Sequence, residues 1–191
     1  MAEAFRPLSQ ITARWRHLEG GPGLVQTDLR AEGNRIVIDG VTIGEREGLY
    51  AAKYRIVCRD DWATLSLDVE TTDGRAVRVT ADGNGRWKVA GGKALPQFDG
   101  CIDVDLEGTP FTNTLPVRRL GLSPEQGAIE LRMFYVPFTT FEPFVDDQRY
   151  RCVRPRHYRY EAVDGSFSAD ITVDEDGLVS AYPPLFERLE P

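Results

Sequence analysis

Along this chain apolar side chains recur at every second position more often than at every third or fourth. Ile36 and Ile38 share a face ahead of a turn near Gly40, and Val41–Gly44 follows. Tyr54, Ile56 and Cys58 alternate with Arg55, Val57 and Arg59, and Leu65, Leu67 and Val69 with Ser66, Asp68 and Glu70. Val77 and Val79 alternate with Arg78 and Thr80, and Trp87 with Val89 extends the run. A period of two is what a strand with one buried and one wet face requires. Asp-Gly pairs in Thr72–Arg75, Ala81–Gly85, Val163–Gly165 and Asp174–Gly177 supply the positive φ angles of tight β-turns. The spacing predicts three consecutive antiparallel strands over Trp62–Gly92 and three more over Tyr158–Tyr182.

Helical spacing is confined to two segments. Ser9–His17, with Leu18, places Ile11, Trp15 and Leu18 at near-helical intervals, and Pro184–Leu189 is too short to nucleate alone. The proline-rich passages Pro110–Pro116 and Pro137–Pro143 read as edges, bulges or loops, because proline cannot donate into a ladder. No linker or repeat divides the chain, so residues 1–191 are expected to form a single all-β domain of many antiparallel strands, with at most a short helix. So many strands must curl into a flattened or open barrel or split into a two-layer sheet, and such shapes often enclose a ligand cavity.

Charge narrows the choice of partner. The formal net charge is −7, which argues against nucleic acid, since phosphate neutralisation needs a concentrated basic surface. No apolar run reaches the ~18 residues of a membrane span, and the first residues lack a signal-peptide core, so a cytoplasmic location is expected. Cys58, Cys101 and Cys152 are odd in number and far apart, and they read as buried strand residues, with neither disulfide nor zinc spacing. No GxSxG or phosphate-loop context occurs, and no cofactor is implied.

Candidate chemistry gathers in residues 100–122, GCIDVDLEGTPFTNTLPVRRLGL. As a strand, Cys101, Asp103 and Asp105 face one way and Ile102, Val104 and Leu106 the other. Two carboxylates at i and i+2 lie about 6–7 Å apart. They suit a divalent cation or an acid–base pair, or they are the solvated face of an ordinary strand. Arg118 and Arg119 follow on what reads as the neighbouring strand, where only one of them can share the carboxylate face. That arginine would form a bidentate salt bridge or hold an anionic headgroup. Thr112, Asn113 and Thr114 close a turn through backbone bonds or recognise sugar hydroxyls, and the spacing does not choose. The dense aromatic run Met133–Phe138, with Phe141 and Phe144, exceeds what one core face uses.

The stretch LPQFDGCIDVDLEGTPFTNTLPVRRLGL, with VCRDDWATLSLDV, GRWKV, QRYRC, YRYE and VDEDGLVSAYPPLFERL, resembles the "putative glycolipid-binding" family, a bacterial family of unknown function, from about residue 15 to residue 189. One departure is Ala63-Thr64-Leu65 after Trp62, where family members commonly have a threonine–arginine pair. The resemblance implies a two-layer antiparallel fold or open barrel similar to the bacterial lipoprotein carriers. The expected function is non-catalytic binding of an amphiphilic ligand, such as a glycolipid. Aromatic strands would hold the tail, and Asp103, Asp105, Thr112, Asn113, Thr114 and one of Arg118 and Arg119 the headgroup. The alternatives are a metal-dependent enzyme on a phosphorylated or glycosyl substrate using Asp103 and Asp105, and a structural interaction module.

Overall fold

The computed structural model describes residues 5–190. The period-two segments of the first half become β1 (Ile11–His17), β2 (Leu24–Glu32), β3 (Arg35–Glu45), β4 (Leu49–Arg59), β5 (Thr64–Thr71), β6 (Ala76–Ala81) and β7 (Trp87–Val89). The second half supplies β8 (Asp103–Leu106), β9 (Ala128–Val136), β10 (Phe144–Arg154), β11 (His157–Ala162), β12 (Ser168–Val173), β13 (Val179–Tyr182) and β14 (Phe186–Leu189). All 14 lie in one sheet, ordered β7-β6-β5-β4-β3-β2-β1-β14-β13-β12-β11-β10-β9-β8. Two meanders are thus joined by one ladder, the antiparallel β1–β14 pair running from Arg14↔Leu189 to His17↔Phe186. β8 pairs parallel to β9, and the other neighbours are antiparallel.

The two expected triplets of strands are present as β5–β7 and β11–β13. The two segments with helical spacing are strands β1 and β14. In β1 the buried residues are Ala13 and Trp15, two apart, and pairing with β2 and β14 on either side outweighs the weaker local helical pattern.

The sheet curls but does not close. β7 and β8 share no ladder, yet the connection between them stitches the seam. Gly100 donates to the Gly85 carbonyl at 3.0 Å, Thr64 N–H to that of Ile102 at 3.2 Å, and Trp87 Nε1 to that of Cys101 at 2.7 Å. The Phe134 ring of β9 packs 4.7 Å from Trp87 and 4.1 Å from Phe98 across the same seam.

Inside the curl lies an element the sequence reading placed in a loop. Pro110–Asn113 forms a 3₁₀ turn that runs directly into α1 (Thr114–Leu120). Thr109 caps the turn by accepting from Phe111 N–H, and Gly121, left-handed at φ 53°, ends the helix with its N–H on Val117 O. Pro110 and Pro116 each stand in the first turn of a helical stretch, where the N–H they lack would have no intrahelical acceptor. The arginines therefore end a helix and do not open a strand, which corrects the expectation for residues 109–119. Phe111, Leu115 and Val117 are buried in the core. The segment reaches both meanders: Thr42 donates to Gly108 O at 2.7 Å, Tyr54 meets Thr109 at 3.2 Å, and Tyr150 donates to Asn113 at 2.7 Å. Gly40 makes the second contact possible, since a Cβ there would stand 2.1 Å from Tyr54 Cζ.

Candidate functional site

The strand ends at one end of the curl surround a cleft of about 300 Å³. Its floor is β8 and the 3₁₀ turn, its walls are the starts of β10 and β14 and the ends of β9, β11 and β13, and Arg46 of the β3–β4 hairpin stands at its side. A neighbouring hollow of about 230 Å³ shares Arg46, Glu107, Leu185 and Phe186 with it.

The two acids of β8 have separate fates. Asp103 is 1% exposed, not solvated. Arg119 grips it in a bidentate fork, Nε to Oδ1 at 3.0 Å and Nη2 to Oδ2 at 2.5 Å. Burial pushes the Asp103 carboxyl up, and the Arg119 charge and hydrogen bonds oppose that. Two residues on, Asp105 lines the cleft and accepts from Thr112 Oγ1 at 2.7 Å on one oxygen and from Gln148 Nε2 at 2.7 Å on the other. Among the described residues no cationic side chain bonds to it. Burial, with smaller contributions from the Asp146 and Glu107 charges, pushes it up to about 6 against those two hydrogen bonds.

The same Gln148 nitrogen donates to Asp146 Oδ2 at 2.7 Å, so one buried amide bridges two carboxylates. Asp146 is also raised, chiefly by burial. Around this pair Tyr135, Tyr160 and Tyr182 line the cleft; their hydroxyls bond to none of the described residues and are not among the buried polar atoms left without a partner, so they open on solvent. Burial raises all three, and the Asp105 charge adds to each. Aromatic rings continue around the mouth of the curl. Tyr150, Tyr160, Tyr182, Phe186, His17, Tyr50 and Phe138 follow one another at centroid separations of 4.7–6.3 Å. Against the acids Asp105, Glu107, Asp146 and Asp164 the cleft lining offers one cation, Arg46, itself 3.2 Å from Glu107. Its field suits a neutral polyol and repels a phosphate.

Of the residues singled out in the sequence, Asp105, Thr112 and Asn113 meet at the cleft, Asn113 by lining it and Thr112 by holding Asp105. Thr114 is buried, its hydroxyl without a partner among the described residues, away from the cleft lining. Arg119 is committed to Asp103, and Arg118 turns to the opposite side, over Trp62 at 4.7 Å and onto the Asp176 carbonyl at 3.0 Å. Arg46, Asp146 and Gln148 were missed. Asp146 and Gln148 do alternate with Tyr150 along one strand face, DDQRY, and that was the one signal available.

No three His, Cys, Asp or Glu side chains among the described residues converge as metal ligands. None of the described helices is long and apolar enough to cross a membrane. No curated protein matches the chain. A DUF1089 family protein of known crystal structure, from Pseudomonas aeruginosa, is 38% identical, with a TM-score of 0.73 over 97% of this chain and 95% of that one. A family model described as "Putative glycolipid-binding" matches residues 12–188, nearly the whole chain, and to that family this protein belongs.

Proposed function

We propose that the protein binds a glycolipid through its sugar, seated in the cleft over Asp105 and Asp146. The observation that carries this reading is the carboxylate pair bridged by Gln148 beneath the free phenol hydroxyls of Tyr135, Tyr160 and Tyr182. Carboxylates accept from sugar hydroxyls, phenols both donate and accept, and ring faces cover the apolar side of a pyranose. A volume of about 300 Å³ lies at the small end of ligand sites and suits a sugar more than lipid chains. The interior of the curl is filled by α1 and its neighbours Phe111 and Trp15, so the tail stays outside, along the apolar rim. That rim has Leu49, 86% exposed at a hairpin tip, and Phe144, 49% exposed beside the acids. The net-negative lining favours an uncharged headgroup over an anionic one.

Thermal shift separates this reading from generic amphiphile binding. Octyl β-glucoside below its micelle concentration is expected to raise Tm, as any ligand of the native state alone must. Octyl phosphocholine and octanoate at the same concentration are expected to leave it unchanged, and Tyr160→Phe to reduce the shift. Equal shifts with all three amphiphiles would remove the sugar from the proposal.

A further inference from the structure

The outer face of the first meander has an apolar centre left open. Leu24, Val41 and Ile43 are 51%, 54% and 54% exposed there, and they adjoin: Leu24 pairs with Ile43, and Val41 stands two positions back on the same strand face. Ala51, half-buried, pairs with Ile43 from the other side. Around this centre the ladders set charges out in rows. From β5 to β1 one row reads Glu70, Lys53, Val41, Gln26, Arg14, and the next reads Asp68, Arg55, Asp39, Asp28, Thr12.

Two of these charges lack a counter-charge among the described residues. Arg14 bonds only to Gln26 Oε1, at 2.9 Å, and Asp28 is held by Thr12 and by Gln26 Nε2 at 3.1 Å, both neutral. Two others have capacity left. Arg55 gives Nε and Nη2 to Asp39 and keeps Nη1, and Glu70 meets Arg78 and Lys53 through Oε2 and keeps Oε1. One symmetry operation matches these spare charges. A two-fold axis along β3 turns each row about its middle residue, so that Val41 and Ile43 meet their own copies and Ala51 meets Leu24. Glu70 then meets Arg14, and Arg55 meets Asp28. Asp39 falls opposite itself, already neutralised by Arg30 and Arg55. The same operation carries a surface twisted about β3 onto its own complement, so the strands stack nearly aligned, as packed sheets do. Five strands at ~4.8 Å spacing and the 11 residues of β3 at ~3.4 Å each span about 24 by 37 Å. That is room for the ~800 Å² per partner of a stable interface.

We propose that the protein forms a two-fold symmetric dimer through this face. Ile43 and Val41 stand at its centre, and Glu70–Arg14 and Arg55–Asp28 pairs cross it on both sides, each pair made twice as an isologous interface requires. The face is separate from the cleft, which lies at the strand ends, so the dimer is independent of the sugar-binding reading.

Sedimentation velocity from low-micromolar to several-hundred-micromolar protein tests it. Wild type is expected to move toward twice the chain mass as concentration rises. Ile43→Glu, which sets like charges on the axis, is expected to stay monomeric with an unaltered far-UV circular dichroism spectrum. Arg14→Glu and Glu70→Arg should each weaken the dimer by about tenfold or more, and the two together should restore it to within about threefold of wild type. Such rescue is specific to the dimer, because within one chain the two residues sit at opposite ends of their row, four strand spacings or ~19 Å apart. A wild type that is monomeric throughout overturns the proposal, and binding of that monomer to phosphatidylcholine vesicles, lost in Ile43→Glu, would give the face to a lipid surface instead. A dimer that survives Ile43→Glu overturns the choice of face. Single charge variants without effect, or a double variant without rescue, overturn the register.

Discussion

On β8 the Asp103 carboxylate receives the Arg119 guanidinium edge-on, while Asp105, on the same face, meets only neutral donors. The two should respond oppositely to amidation. Asp103→Asn leaves Arg119, 14% exposed, without its counter-charge, and breaking a buried pair from one side costs about 3–5 kcal/mol. Urea unfolding should show that loss at neutral pH, and a midpoint equal to wild type would dismiss the pair as a structural element. Asp105 carries a native value near 6 against 3.8 for the free group. Between those values the native state binds more protons than the unfolded chain, so this residue's contribution to stability falls as pH rises through the window and is fully lost above it. The groups facing it bear this out in sign: Asp146 and Glu107 add negative charge, the phenols of Tyr135, Tyr150, Tyr160 and Tyr182 are neutral, and Arg46 is tied to Glu107. The Tm of Asp105→Asn minus that of wild type should therefore become more positive from pH 4.5 to pH 7. A flat or falling difference would show that Asp105 is not raised.

At the scale of elements, the strands were readable because burial on one face writes a period of two directly into residue order. The 3₁₀ turn and α1 were not. Their sequence, TPFTNTLPVRRL, has two prolines and three threonines, which read as breakers and turn formers. Those residues are compatible with a helix only because the prolines stand in first turns and the stretch is short. What holds it is burial inside the curl, a contact no local pattern announces. Leu115, fully buried at its centre, is the residue to remove. Leu115→Ala should cost about 2–5 kcal/mol, read as a drop in the urea midpoint, whereas Leu49→Ala at the exposed hairpin tip should leave the midpoint in place.

For the whole molecule, the single β1–β14 ladder joins two meanders that also meet through the buried segment 107–120, the seam near residues 85–102, and the contacts of Tyr50 and Arg75 with residues 138–141. Trp15 strengthens the junction by donating from Nε1 to the Val179 carbonyl at 2.7 Å. Ending the chain after Tyr182 removes β14, exposes the edges of β1 and β13, and uncovers Trp15 and Phe186's neighbours. That truncation should abolish a cooperative thermal transition and bind a hydrophobic dye. A sharp transition retained without β14 would mean that the meanders stand independently.

Residue order alone determined the class of fold, the two three-strand meanders and the family, since all three rest on local pattern or a long contiguous motif. Only the tertiary structure decided what residues 100–122 do. It buried both faces of β8, turned the polar stretch into a helix inside the sheet, and sent Arg118 and Arg119 to different partners. It also brought Asp105 to Asp146, more than forty positions along the chain, through a glutamine on a strand that only sheet curvature carries to that cleft. Adjacency in a curled sheet is set by ladders between distant strands, and the chemistry of the cleft depends on which carboxylates that adjacency leaves without a cation.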